Sequence, residues 1–237
     1  MARGEHTAGV GRTVHRERFR SDLPGGTTWH AFSFGRHYAP ENTSYGPLLL
    51  HDEHVLAPGA GFDDHLHRDL EVVSWVLDGV LVHDGPGGRR ELGPGSAQRL
   101  RAGSGARHAE RAGDAPTRFV QAWLLPDERG LRPADEALVL PDAALADRLV
   151  TVAGPGGLGL AAGGAALRVG RLSSGSSVRT SGARLEHVFV GRGRVEAAGL
   201  LLGAGDALRS TAEGPLLLVA REPAEVLVWE MAGTATT

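Results

Sequence analysis

The sequence contains no cysteine and no lysine. The first absence excludes disulfides, thiolate metal ligands and a cysteine nucleophile together, so any metal ion must be held by nitrogen and oxygen donors. The second leaves all 25 basic residues as arginine, set against 28 acidic residues and a formal net charge of −3. That balance provides no basic footprint for nonspecific nucleic-acid binding, so direct contact with DNA is not expected. No apolar run approaches the ~20 residues that a membrane span requires. The opening stretch MARGEHTAGVGRTVHRERFR also lacks the apolar core of a signal peptide. A cytoplasmic protein without membrane association is the expectation.

What is present is an ordinary globular composition. Of 237 residues, 41% are hydrophobic and 22% charged, enough to bury one large core or two small ones. Helical periodicity is scarce. Short apolar runs bounded by Gly, Pro, Asp and Asn recur roughly every 8–12 residues, the pattern of an all-β sandwich or barrel. In LEVVSWVLDGVLVHDGPGG the apolar run breaks at Gly79, and DGPGG (84–88) supplies a turn. Val72–Leu77 and Val80–His83 therefore read as successive strands. The segment 133–160, PADEALVLPDAALADRLVTVAGPGGLGL, mixes acids, alanines and prolines and reads as a connector with one short helix. Beyond it the layout of strand, Gly turn and strand repeats, which points to an internal duplication. The ends, about residues 1–12 and 233–237, carry no strand pattern and read as mobile.

Of the 11 histidines, only His187 lies after position 108, so any imidazole site belongs to the first half. In GFDDHLHRDLEVVSW (61–75), His65 and His67 stand at the i, i+2 spacing that puts two side chains on one face of a strand. About forty residues later, SGARHAER offers His108 and Glu110 at the same spacing. Three imidazoles and a carboxylate suit divalent iron, nickel, copper, manganese or zinc, and a four-ligand set leaves positions open for water, dioxygen or a chelating substrate. Taken alone, an H-x-H pair is more often a surface or turn feature than a ligand pair. The second pair strengthens the metal reading, and the residues by themselves leave both open.

Glu71 competes as fourth ligand, because HLHRDLE keeps strand parity with both histidines. Its plainer reading is a strand-edge carboxylate paired with an arginine. HDEH (51–54) reads as a solvated hairpin tip, and His83–Asp84 as a polar cap at a strand end. His30 and His37, in WHAFSFGRHYAP, read as hydrogen-bonded structural histidines, and His187 as a satisfied strand residue. Trp75, Trp123 and Trp229 read as core.

GFDDHLHRDLEVVSWVLDGVLVHDG, GPGSAQRLRAGSGARHAE and QAWLLPDERGLRP, in that order, resemble the pirin family, as does the upstream WHAFSFGRHYAPENTSYGPLLLHDEHVLAPGAGF. The resemblance runs from about Trp29 to Pro133. Later, only LLLGAGDAL is similar to the Gly-Asp turn of cupin barrels. The resemblance implies an all-β fold of two cupin-type barrels packed face to face: a metal-binding domain over 13–132, the connector over 133–160, and a domain without ligands over 161–232. It implies one divalent transition metal, iron before nickel, copper, manganese, cobalt or zinc, held by His65, His67, His108 and Glu110. Glu71 is excluded, because in pirin-like proteins the intervening strand is one residue longer than in other cupins and its facing is reversed. The residue between the first two histidines is commonly proline in that family and is Leu66 here, which loosens the turn into the ligand pair.

Proteins of this kind are associated with quercetin 2,3-dioxygenase activity, in which a flavonol is attacked by dioxygen and its ring opened with loss of carbon monoxide. Glu110 is the natural catalytic base for the 3-hydroxyl. The expected partners are a flavonol-like aromatic substrate and dioxygen, acting on a monomer. Two other readings stand beside this one: an iron-dependent redox regulator that binds a transcription factor or metabolic enzyme without turnover, and a metal-free binder of a sugar or metabolite.

Overall fold

The computed structural model of the chain describes residues 5–7 and 11–233. It divides into two units, one of Arg18–Val139 with Leu158–Gly163, the other of Met1–Glu17, Leu140–Gly157 and Gly164–Thr237. The chain starts in the second of these, with β1 (Glu5–Thr7) and β2 (Arg12–His15). The expectation of mobile ends otherwise falls mostly outside the described residues. Within the first end, Glu5–Thr7 pair antiparallel with Thr13–His15, so that stretch is a strand.

The histidine-rich unit follows with β3 (Phe19–Leu23), β4 (Gly26–His30), β5 (Leu48–Leu56), β6 (Gly61–His67), β7 (Glu71–Asp78) and β8 (Leu81–Gly85). It continues with β9 (Gly88–Leu92), β10 (Ser96–Arg101), β11 (Ala106–Ala112), β12 (Thr117–Leu124) and β13 (Ala134–Val139). A seven-stranded sheet runs β13-β10-β7-β12-β5-β4-β3, and a four-stranded one runs β6-β11-β8-β9. The central strand β7, EVVSWVLD, is buried along almost its whole length. That is why its sequence is a continuous apolar run rather than an alternation. Leu56, Val76 and Phe119 of the large sheet meet Leu81, Leu92 and Ala112 of the small one in a single cluster. Each large side chain in it contributes roughly 1.5–3 kcal/mol by leaving water.

The turn expected at Gly79 is enforced sterically. Its φ is 73°, and a Cβ there would lie 2.3 Å from the Pro116 carbonyl oxygen. No other residue fits so close an approach.

The second unit adds α1 (Asp142–Leu145), β14 (Val150–Ala153), β15 (Ala165–Leu172), β16 (Ser177–Arg179), β17 (Leu185–Arg192) and β18 (Arg194–Ala197). It ends with β19 (Leu200–Gly203), β20 (Ala207–Ser210), β21 (Leu217–Ala220) and β22 (Ala224–Met231). Its sheets run β1-β2-β20-β17-β22-β15-β14 and β16-β21-β18-β19, so each unit pairs seven strands with four. The fold is all-β, with one short helix among the described residues, and each unit is a two-sheet sandwich rather than a closed ring of strands. Among those residues no helix is long and apolar enough to cross a membrane. The segment 133–160, read as a connector, opens as strand β13 on the edge of the first unit's large sheet, with Ser96 opposite Val139. Its sequence, ADEALV, has two acids and only Leu138 and Val139 as large apolar residues, so no alternation marks the strand.

Candidate metal centre

The first two predicted histidines lie on β6, an edge strand, and the second pair on β11 beside it. Their register places His108 opposite His65 and then Glu110 opposite Phe62, so the pairing shifts between them at a bulge. Gly61 makes the close approach possible, since a Cβ there would fall 2.1 Å from the Glu110 carbonyl oxygen. The bulge also frees a carbonyl: His65 Nδ1 donates to the Asp63 oxygen at 2.7 Å. That bond fixes the tautomer and leaves the lone pair on Nε2.

His65 Nε2 lies 3.0 Å from His67 Nε2 and 3.0 Å from His108 Nε2. One lone pair cannot accept two protons well, so the arrangement is not satisfied by hydrogen bonds alone. A shared cation satisfies it. Nitrogens about 2.1 Å from one ion sit about 3.0 Å apart at right angles and about 3.4 Å apart in a tetrahedron, so the observed spacing fits a site with further positions open.

Glu110 is buried and accepts from Ser74 Oγ at 3.2 Å and from Gln121 Nε2 at 2.7 Å. The donor atoms of His65, His67 and His108 lie within 4.8 Å of one another, and so do those of His83, His108 and Glu110. The four predicted residues thus fall into two groups joined at His108, and the second group contains a residue that sequence reasoning set aside. His83 is fully buried on β8, not a polar cap. Its register partner is Glu110, its Nδ1 lies 3.9 Å from Glu110 Oε1, and its Nε2 lies 3.1 Å from Asp135 Oδ2. The signal for it is non-local: the strand that gives His83 its purpose comes more than twenty residues later.

Charge in this cluster is sorted by surroundings. Burial, reinforced by the positive tendency of His108 and His65, lowers His67 to about 4, so its imidazole is neutral and free to ligate at neutral pH. Burial also lowers His108. For His83 burial acts downward too, but Asp135 and Glu110 outweigh it and raise the group to about 9. Burial would push Glu110 up, yet His83, His108 and the Gln121 amide bring it down to about 2. The result is two neutral imidazoles, His67 and His108, beside a buried carboxylate anion that has an imidazolium on its far side.

Glu71 is not part of this cluster. The strand breaks after His67, with Asp69 in the left-handed region at φ 49°. Glu71 therefore begins β7 in the other sheet, and the parity argument from HLHRDLE does not apply. It is fully buried, and burial raises its pKa against the pull of Arg99. Leu66 points outward, 47% exposed, where the loss of a proline costs little packing.

A cavity of about 950 Å³ opens onto the site, lined among others by His65, His67, Glu110, Phe34, Phe62 and Trp123. Its volume suits a ligand of several fused or linked rings. Trp123, read as core, is partly buried instead. Its ring stands 4.9 Å from His67 and 5.7 Å from Phe34, and its indole N–H donates to Gln121 Oε1 at 2.9 Å. Gln121 is thereby fixed with its amide nitrogen toward Glu110. HDEH is likewise no hairpin tip but the middle of β5, with all four residues buried. Asp52 and His54 line the cavity. Glu53, from the alternate face, takes Arg18 at 2.6 Å and Arg118.

The family model described as Pirin matches residues 12–124. A relative from Mycobacterium tuberculosis (strain ATCC 25618 / H37Rv), named "Putative quercetin 2,3-dioxygenase Rv0181c", is 42% identical over 218 residues, 86% of this chain and 89% of that protein. The Escherichia coli (strain K12) protein named quercetin 2,3-dioxygenase is 34% identical over 112 residues, 46% of this chain and 48% of its own. Among solved structures, the bacterial pirin YhhW of Escherichia coli in complex with nickel(II) superposes with a TM-score of 0.86 at 24% identity, covering 94% of this chain and 100% of that one. That superposition establishes the fold.

Proposed function

The chain belongs to the pirin family, and from that premise we propose that it is a metal-dependent dioxygenase that opens the ring of quercetin or a similar flavonol or enol-bearing aromatic compound. The observation that carries this reading is the convergence of three imidazole Nε2 atoms, with two separations of 3.0 Å, at an aromatic-walled cavity beside a buried carboxylate. In this reading His65, His67, His108 and Glu110 hold one divalent ion, iron in the first instance. Bound there, the ion supplies Lewis acidity toward an enol oxygen and a redox partner for dioxygen.

The remaining work falls to the protein's own groups. Phe34, Phe62 and Trp123 clamp a planar ring system and exclude water from it. The Gln121 amide and Ser74 hydroxyl hold Glu110 in one orientation. With a pKa near 2, Glu110 is foremost a charge-neutralising ligand. It accepts the proton of a substrate hydroxyl only after that hydroxyl has been made strongly acidic.

The test is oxygen uptake with a small flavonol panel by protein reconstituted in turn with iron and nickel. The account expects oxygen consumption coupled to loss of the flavonol's absorbance. Intact, metal-loaded protein that neither consumes oxygen nor bleaches any flavonol ends it.

A further inference from the structure

A second constellation lies in the same cavity, away from the imidazole cluster, on the adjoining strands β3, β4 and β5. His30 Nδ1 lies 2.6 Å from Asp52 Oδ2, His30 Nε2 lies 3.0 Å from Ser21 Oγ, and Ser21 Oγ lies 3.1 Å from His37 Nε2. With His30 neutral, the chain has one consistent polarity. The Asp52 carboxylate accepts, so His30 carries its proton on Nδ1 and leaves a lone pair on Nε2. Ser21 donates its hydroxyl proton to that lone pair and accepts from His37 Nε2–H. A hydroxyl has one proton and two lone pairs, so the second lone pair of Ser21 remains for a ligand.

The position of the chain gives that free lone pair a purpose. Ser21, His30 and Asp52 all line the cavity. His30 and Asp52 are 4% and 2% exposed, and they face each other directly across the β4–β5 pairing. Phe34 stacks on His30 at 5.4 Å, which places an aromatic surface beside the polar chain. Two buried atoms on this wall, Asp52 Oδ1 and His54 Nε2, have no hydrogen-bond partner among the described residues. Orphaned polar atoms of that kind are costly unless something satisfies them. His54 is kept neutral by burial and meets Thr28 Oγ1 at 2.8 Å through its other nitrogen. Aromatic walls, a carboxylate-backed imidazole and a hydroxyl with a vacant acceptor position together describe a receptor for an acidic aromatic hydroxyl.

We propose that Ser21, His30 and Asp52 form a second, metal-independent subsite that binds a phenol or enol hydroxyl of a ligand and takes up its proton. One O–H bond of the ligand breaks as its proton passes to Ser21 Oγ, and the Ser21 proton passes to His30 Nε2. The ligand is left as a phenolate or enolate. His30 becomes an imidazolium held against Asp52, the stabilising role that a buried aspartate plays for imidazole in serine-dependent enzymes. No electron is transferred and no co-reactant is needed. The subsite shares a ligand class with the proposed dioxygenase but requires neither metal nor dioxygen, so each idea can fail alone.

The probe is 4-nitrophenol, whose phenolate absorbs where the phenol does not. The purified protein is titrated with it at a pH below the phenol's own pKa, and the fraction bound as phenolate is read from the spectrum at saturation. Wild-type protein is expected to hold mostly phenolate. Ser21→Ala and His30→Gln are expected to lower the phenolate-to-phenol ratio of the bound probe at least ten-fold. Asp52→Asn should retain binding but hold the neutral phenol, a change that a merely structural role would not produce. Removing metal with a chelator should leave the phenolate signal in place. No bound phenolate in the wild type, a signal unchanged in Ser21→Ala and His30→Gln, or a signal lost on chelation of the wild type while those two variants retain it, each overturns the proposal. Folding is checked on every variant by its thermal transition, and Ser21→Ala, a small change at a half-buried hydroxyl, keeps the test open if His30→Gln does not fold.

Discussion

The two units are built to one plan and filled in opposite ways. In the first, the small sheet runs β6-β11-β8-β9; in the second, β16-β21-β18-β19. The strands that carry His65, His67, His108 and Glu110 therefore have topological counterparts in Ser177–Arg179 and Leu217–Ala220. Where the first unit turns imidazoles inward, the second turns in Val178, Leu218 and Ala220, which join Val188, Val195 and Val226 in one apolar cluster. The same backbone thus supports a polar cavity or a packed core, according to the residues at a few inward positions. Architecture alone does not determine chemistry.

His108→Ala has the largest expected effect on the first unit, since that residue belongs to both groups of donors. Metal affinity is expected to fall by more than about a hundred-fold, beyond the usual cost of losing an outer-shell partner, with oxygen uptake lost alongside it. Titration with nickel(II), followed by absorbance, checks the first; an oxygen electrode checks the second. His83→Ala should act on stability instead. It strips a buried cation from between Glu110 and Asp135 and should cost about 3–5 kcal/mol in chemical denaturation.

Leu218→Ala tests the other unit. Opening a cavity among its apolar neighbours should cost about 2–5 kcal/mol and leave the metal content unchanged. A metal deficit in Leu218→Ala would show that the two units do not divide the labour as described.

The units should also respond differently to pH once chelator has removed any metal. His15, in the second unit, is lowered to about 4 by burial and Arg209, and His67, in the first, to about 4. Both groups bind protons more readily when unfolded, so the stability they reflect is complete above pH ~6.5 and is lost as pH falls toward 4. His83, raised to about 9, works in the other direction. Its contribution is complete below pH ~6.5 and is lost as pH rises through 9. Alkaline weakening should therefore vanish in His83→Ala, while acid weakening stays. Denaturant midpoints across pH 4–10 decide this. The smallest effect belongs to Leu66→Pro on the exposed edge strand β6, which should shift stability by less than about 1 kcal/mol.

Much of this was legible in the sequence, and the rest was hidden for physical reasons. The i, i+2 pairs His65/His67 and His108/Glu110 could be seen because strand periodicity is local. The same holds for the turns at Gly79 and at 84–88, and for the strands they separate. His83 and Asp135 could not be seen as a pair, because they meet only when β8, inside the small sheet, and β13, on the edge of the large one, reach the site from different sheets. HDEH deceived for a related reason. Four polar residues in a row usually mark a solvated turn, whereas here one face of the strand is satisfied by Arg18 and Arg118 and the other opens on a cavity. Glu71 kept strand parity on paper, and the left-handed turn at Asp69 removed it.

The most direct measurement is elemental analysis of freshly purified protein, wild type against His65→Ala/His67→Ala. The account predicts one transition-metal ion per chain in the wild type and essentially none in the double variant, with both chains folded. A wild type free of metal, or a double variant that retains it in full, would contradict the claim that these imidazoles converge to hold an ion.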